Sequence, residues 1–230
     1  MILPSQYYEE KLYPLQDGVL NTLNRSGSNF FLTGGTALSR AYYNHRYSDD
    51  LDFFLNQSQD YDEELDVVLA LLKEDGFHWD IKNDYTRSRN FTTLKIGYSG
   101  SQPILKLDFV NDDAPIFGEI QKTDLFNRTD SIRNIFSNKL SAIFRYAPKD
   151  IADIREIALQ ETIDWSSIIS EARQKEAGLE LIYIGEILKG IPRSEFEKIA
   201  WTKKPDWEVF CNDIDRIVYE MISGVPNKLP

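Results

Sequence analysis

The sequence predicts an α/β core in its first half, a mixed sheet flanked by helices, and an all-helical second half. Three observations carry this. Short apolar runs of strand character recur between residues 30 and 110, and segments of helical periodicity separate them. That alternation is the mark of a sheet covered by helices. Beyond Asp130 the strand patterns stop, and the apolar repeats all take helical spacing.

The elements follow in order. Residues 4–24 read as a helix, because Tyr8, Leu12, Leu15, Val19 and Leu23 recur at helical intervals, with a kink expected at Pro14. The run Ser26-Gly27-Ser28-Asn29 breaks it. Residues 30–33 (FFLT) form a short apolar strand, Gly34-Gly35 follow directly, and residues 36–44 return to a helix. Residues 51–55 (LDFFL) give a second strand. Residues 60–76 are an amphipathic helix stopped by Gly76 near its C′ position. Residues 91–98 and 103–110 are two further strands, with a turn expected at Ser99-Gly100. In the second half five helical segments start near residues 131, 149, 165, 178 and 206, punctuated by Pro148, Gly178, Pro192 and Pro205. A boundary near residue 125 would give domains 1–125 and 126–230; a single merged domain is the alternative.

Bulk properties narrow the function. The 230 residues are enough to bury a substantial core. Thirty-seven acids against 26 Lys and Arg leave a net charge of −11, which argues against broad electrostatic coating of nucleic acid but not against a local basic patch. Cys211 is the single cysteine, so no internal disulfide can form, and a reducing, cytoplasmic setting is expected. The first residues lack the basic and apolar regions of a secretory signal. The most apolar later run, residues 179–191, is broken by Glu186 and Lys189 and is too short to span a bilayer, so no membrane partner is expected.

The chemistry is concentrated between residues 34 and 108. Asp50 and Asp52 are two apart, so on a strand both carboxylates would leave one face while Leu51 and Phe53 leave the other. Two aligned carboxylates make a hard-oxygen site suited to Mg2+, with Mn2+ as a substitute. Asp108 lies in a second apolar strand, where a lone acid is costly unless paired or metal-bound. It is a candidate third ligand, or the base that takes a proton; the alternative is an ion pair with Lys106, which shares its face. Gly34, Gly35 and Thr36 sit where a strand opens into a helix, a place for free backbone N–H groups to meet phosphate. Ser39 and Ser48 could add hydroxyl contacts. Each signal has a structural alternative: a solvated turn for Asp-x-Asp, a tight turn for Gly-Gly, and helix capping for Thr36 and Ser48. With only His45 and His78 present, a histidine metal site is not expected, and His45 reads as a surface helix residue. The pairs Phe30-Phe31, Phe53-Phe54 and Tyr42-Tyr43 read as core. Trp201 and Trp207 beside Lys203 and Lys204 read as packing, with an acceptor-binding edge as the alternative.

Gly-Gly, a helix, Asp-x-Asp and a distant third Asp together resemble the nucleotidyltransferase superfamily related to DNA polymerase beta. The fuller string GGTALSRAYYNHRYSDDLDFF resembles the AbiEii/AbiGii toxin family, the nucleotidyltransferase-like toxins of type IV toxin–antitoxin and abortive-infection systems. The matching positions are Gly34 to Leu38, then Arg46, Ser48, Asp50, Leu51, Asp52 and Phe53. A later Lys, Arg and Lys-Asp-x-x-Asp set is similar to the family's second cluster, at Lys139, Arg145, Lys149, Asp150 and Asp153. The interval from Gly35 to Asp50 is long for the superfamily and normal for this branch.

The resemblance implies metal-dependent transfer of a nucleotidyl group from an NTP to an acceptor, an RNA such as a tRNA 3′ end or a protein, beside a cognate antitoxin. It implies Asp50, Asp52 and Asp108 as metal ligands. Gly34, Gly35, Thr36, Arg46 and Ser48 would bind nucleotide. Lys139 would act on the triphosphate, with Arg145 and Asp150 in support. Two other functions stay open on the residues alone: a phosphotransferase on the same scaffold, and a non-catalytic relative that only holds nucleotide or a partner.

Overall fold

The computed structural model describes residues 4–99 and 103–227, so of the expected Ser99-Gly100 turn, Gly100 lies outside the described residues. The chain divides into two compact units: Met1–Asp113 with Ile120–Asp130, and Ala114–Glu119 with Ser131–Pro230.

The first unit opens with α1 (Pro4–Tyr7), a π-helical stretch (Tyr8–Leu12) and α2 (Tyr13–Ser26). The irregularity falls just before Pro14, which has no N–H to return to the preceding turn. Strand β1 (Phe31–Thr33) runs into α3 (Gly34–Thr36), which widens into a second π-helical stretch (Ala37–Tyr43). After a loop come β2 (Leu51–Asn56), α4 (Tyr61–Glu74), β3 (Phe77–His78), β4 (Tyr85–Arg87), β5 (Phe91–Tyr98) and β6 (Leu105–Asp112). Gly76 closes α4 at φ +87°, a backbone conformation that suits the glycine expected there.

The sheet is mixed and runs β1-β2-β6-β5-β3, with β4 also paired to β5. Its β2–β6 pair is parallel; β1–β2, β5–β6, β3–β5 and β4–β5 are antiparallel. One face is dry: Leu51, Phe53, Leu94, Leu107 and Phe109 are fully buried on it. Tyr61 of α4 fastens to that face by donating to the Phe109 carbonyl at 3.1 Å. The other face alternates with it and stays partly open, as the burial of β2 and β6 shows. The two- and three-residue strands β3 and β4 have no recognisable period, which is why the sequence alone does not reveal them. Arg87 at the end of β4 pairs with Asp62 and Asp66 of α4.

The second unit is helical, with α5 (Ile132–Ser141), a 3₁₀ turn (Ile143–Arg145), α6 (Pro148–Gln160), α7 (Trp165–Lys175), α8 (Leu181–Lys189), α9 (Arg193–Lys198) and α10 (Trp207–Ser223). Ser131, Asp164 and Asp206 cap α5, α7 and α10 by accepting from backbone N–H groups of the first turn. Trp165 packs edge-on against Phe136. Trp201 and Trp207 close around Phe196 and Phe210, so both indoles serve packing within this unit. Among the described residues no helix is long and apolar enough to cross a membrane.

Candidate active site

Register builds the site. Asp52 of β2 stands opposite Asp108 of β6 in the parallel pair, so both side chains share the open face of the sheet. The row extends to Thr33 of β1, opposite Asp52, and to Thr93 of β5, opposite Asp108. A polar band thus crosses four strands. Leu51 and Phe53 point to the dry face, as the period of two requires. Asp50 lies immediately before β2, where its carbonyl accepts from the Thr36 hydroxyl, so Thr36 ties the start of the strand to the glycine turn.

The glycines pack where a side chain cannot. Gly34 has φ +70°, and a Cβ there would run into Asp52 Oδ2. A Cβ on Gly35 would run into the Arg46 guanidinium and sit 3.2 Å from Ser48 Oγ. Both residues therefore hold the backbone within contact of the Asp52, Arg46 and Ser48 side chains. Gly34→Ala is expected to cost about 1–2 kcal/mol of stability for the left-handed backbone. The same clash should push the Asp52 side chain aside. Urea denaturation checks the cost, and a variant as stable as wild type would show that the bare left-handed backbone at Gly34 is not required.

Arg46 and Ser48 are buried. Arg46 donates to the Tyr47 carbonyl at 3.0 Å. His45, expected on a helix surface, is instead buried just past the helix end. Gln16 of α2, which sequence reasoning missed, donates to the carbonyls of Ser48 at 3.0 Å and Asp49 at 3.2 Å. Arg40 in turn donates to Gln16 Oε1 at 3.0 Å and pairs with Asp17 at 2.7 Å. The loop that delivers Asp50 is thus fastened from α2. A glutamine amid apolar residues at a core position of an amphipathic helix was the available signal. Asp49 accepts from Tyr8 at 2.6 Å, and Thr33 donates to Asp130 at 2.6 Å, a buried acid that the sequence did not single out.

Lys106 donates to Asp108 Oδ2 at 2.5 Å, so the ion pair offered as an alternative for Asp108 is present. Burial works against the ammonium, but Asp108, with Asp50 and Asp52 contributing, outweighs it and raises Lys106 above the ordinary lysine value. The remaining oxygen, Asp108 Oδ1, is buried without a hydrogen-bond partner. Among the described residues no three His, Cys, Asp or Glu side chains stand as a finished metal-ligand set. The donors nonetheless suit a hard cation. Two carboxylates face each other across the β2–β6 ladder, a third precedes β2, and one buried oxygen lacks any partner.

Lys139, Arg145 and Asp150 belong to the helical unit. Lys139 of α5 is buried between Asp150 at 2.6 Å and Asp153 at 2.7 Å. Arg145, more than half exposed, donates to the second oxygen of Asp150 at 2.6 Å. The i,i+3 spacing of the two acids puts both on one face of α6, where together they hold the lysine.

A family model described as "Nucleotidyl transferase AbiEii toxin, Type IV TA system" matches residues 19–217. JHP933 from Helicobacter pylori has a similar solved structure, with a TM-score of 0.64 at 18% identity, covering 92% of this chain and 90% of that one. MenT4, a nucleotidyltransferase toxin from Mycobacterium tuberculosis H37Rv, is similar with a TM-score of 0.59 at 16% identity, covering 92% of this chain and 82% of that one. At these identities the likeness speaks for the fold. None of the curated proteins matches the sequence.

Proposed function

Because the chain belongs to the AbiEii nucleotidyltransferase toxin family of type IV toxin–antitoxin systems, we propose that it transfers an NMP group from an NTP to a hydroxyl on an RNA, such as a tRNA 3′ end, or on a protein. A divalent ion, Mg2+ or Mn2+, would assist, and a cognate antitoxin would restrain the activity. The single observation that carries this reading is the Asp52–Asp108 pairing beside Gly34, which gathers hard oxygens at a glycine turn.

The proposed roles follow from position. Asp50, Asp52 and Asp108 would hold the ion, which when bound supplies Lewis-acid stabilisation to the charge developing on the transferred phosphoryl group. Gly34, Gly35 and Thr36 present backbone N–H groups at a helix start for the phosphate chain. Arg46 and Ser48, packed against Gly35, hold that turn in shape and favour negative charge near it. Asp108 Oδ1, buried without a hydrogen-bond partner, would accept the acceptor's proton. The acceptor oxygen then bonds to the α-phosphorus, the bond from that phosphorus to the bridging β-phosphate oxygen breaks, and pyrophosphate leaves with its electron pair. The family pattern also gives Lys139, Arg145 and Asp150 a part in countering triphosphate charge, and we retain it as part of the proposal.

Incubation with each α-labelled NTP and with γ-labelled ATP, in Mg2+ with total RNA and protein, tests the reaction type. Retention of α label in macromolecules is expected. Retention of γ label alone would assign a phosphotransferase, and retention of neither label with any NTP would leave a binding protein.

A further inference from the structure

We propose that Lys106 is a tethered counter-cation of the carboxylate pocket, one that a divalent ion must displace from Asp108 before the pocket can load. This rests on the metal-binding reading given above.

Lys106 and Asp108 leave the same face of β6 two residues apart, so strand geometry rather than a flexible loop fixes their contact. The ammonium holds Asp108 Oδ2 at 2.5 Å while Oδ1 stays buried and unpartnered. One half of the carboxylate is thus committed and the other is kept dry. Exposure differs across the pair: the Lys106 side chain retains 40% and Asp108 only 15%. When they separate, the lysine has more water to move into than the carboxylate has. Asp50 and Asp52 also act on the Lys106 charge, which places the ammonium within the field of all three acids.

The arrangement has two consequences. Without a divalent ion, Lys106 offsets repulsion among carboxylates that register forces together. With one, two cations compete for a single acidic pocket, and the tethered one lowers the apparent affinity of the other. Lys95 of β5 stands opposite Lys106 in the antiparallel ladder and provides a control. It carries the same charge from the neighbouring strand, and its side chain is exposed.

Mn2+ binding to the full chain, titrated by electron paramagnetic resonance without nucleotide, tests this. Lys106→Met is expected to lower the Mn2+ dissociation constant about fivefold, which converts to about 1 kcal/mol, the upper range for a partly exposed ion pair. Lys95→Met should change it by less than about twofold, because its exposed charge is screened. The metal-free Tm of Lys106→Met should fall, and the rise in Tm on adding Mn2+ should exceed that of wild type. Lys106→Gln, which keeps a donor and loses the charge, gives the same reading if Met disturbs the strand. Equal or weaker Mn2+ binding in both Lys106 variants, or equal tightening in Lys95→Met, would overturn the proposal. If Asp52→Asn binds Mn2+ as wild type does, or no protein in the set binds it saturably, the metal reading itself falls and takes this proposal with it.

Discussion

Asp52→Asn is expected to reduce nucleotidyl transfer by about 1,000-fold or more while leaving the fold intact. The estimate rests on charge. Stabilising the charge that develops on a transferred phosphoryl group is worth several kcal/mol, and each 1.36 kcal/mol is a factor of ten in rate. Asn keeps the shape and loses that charge. The fold should tolerate the change because Asp52 lies on the open face of β2 and faces another acid, Asp108, across the ladder. Removing one of two facing carboxylates relieves repulsion. Single-turnover transfer of α label, with circular dichroism and thermal unfolding as controls, makes the measurement. A folded Asp52→Asn protein within tenfold of wild-type turnover would remove Asp52 from the chemistry and the proposed site with it.

The second large effect lies in the helical unit and concerns stability. Lys139→Ala should destabilise the protein by about 3–5 kcal/mol, the range seen when one partner of a buried ion pair is removed. Lys139 is 8% exposed, Asp150 3% and Asp153 0%, so the charges left behind are poorly hydrated. Arg145 still holds Asp150, so Asp153 is the acid that suffers more. Adding Asp153→Asn to Lys139→Ala should therefore recover part of the loss, and a double-mutant cycle in urea would measure the coupling. A loss below about 1 kcal/mol in Lys139→Ala would show that this lysine does not hold its two acids together. The same expectation guides activity work: a dead Lys139 variant speaks about catalysis only when its folded fraction is known.

Much of the architecture was legible in the order of residues. The long periodic segments became α2, α4, α5, α6, α7, α8 and α10. The strands at residues 31–33, 51–56, 91–98 and 105–112 fell where apolar runs of strand character placed them. The glycine pair and Asp-x-Asp carried a family resemblance that the family match supports. Short or irregular elements were not legible. Neither β3 nor β4 is long enough to show a period, and the π-helical stretch at Ala37–Tyr43 has the same residue types as an α-helix. The role of Gln16 is not legible either, because its core position on the helix signals burial but not the loop carbonyls that the side chain holds. The burial of His45 is hidden for the related reason that burial depends on what folds over a residue, not on its type.

By itself the sequence determined which of the longer segments are helix or strand and which residue types are available for chemistry, because local periodicity and turn residues act over a few neighbours. It could not determine that Asp52 faces Asp108, that Asp108 keeps one oxygen dry while Lys106 takes the other, or that Asp50 is anchored through Thr36. Those are facts of strand register and of distant segments meeting. Only tertiary structure decides them, since a one-residue slip in pairing would turn every one of these side chains to the opposite face while leaving the local pattern unchanged.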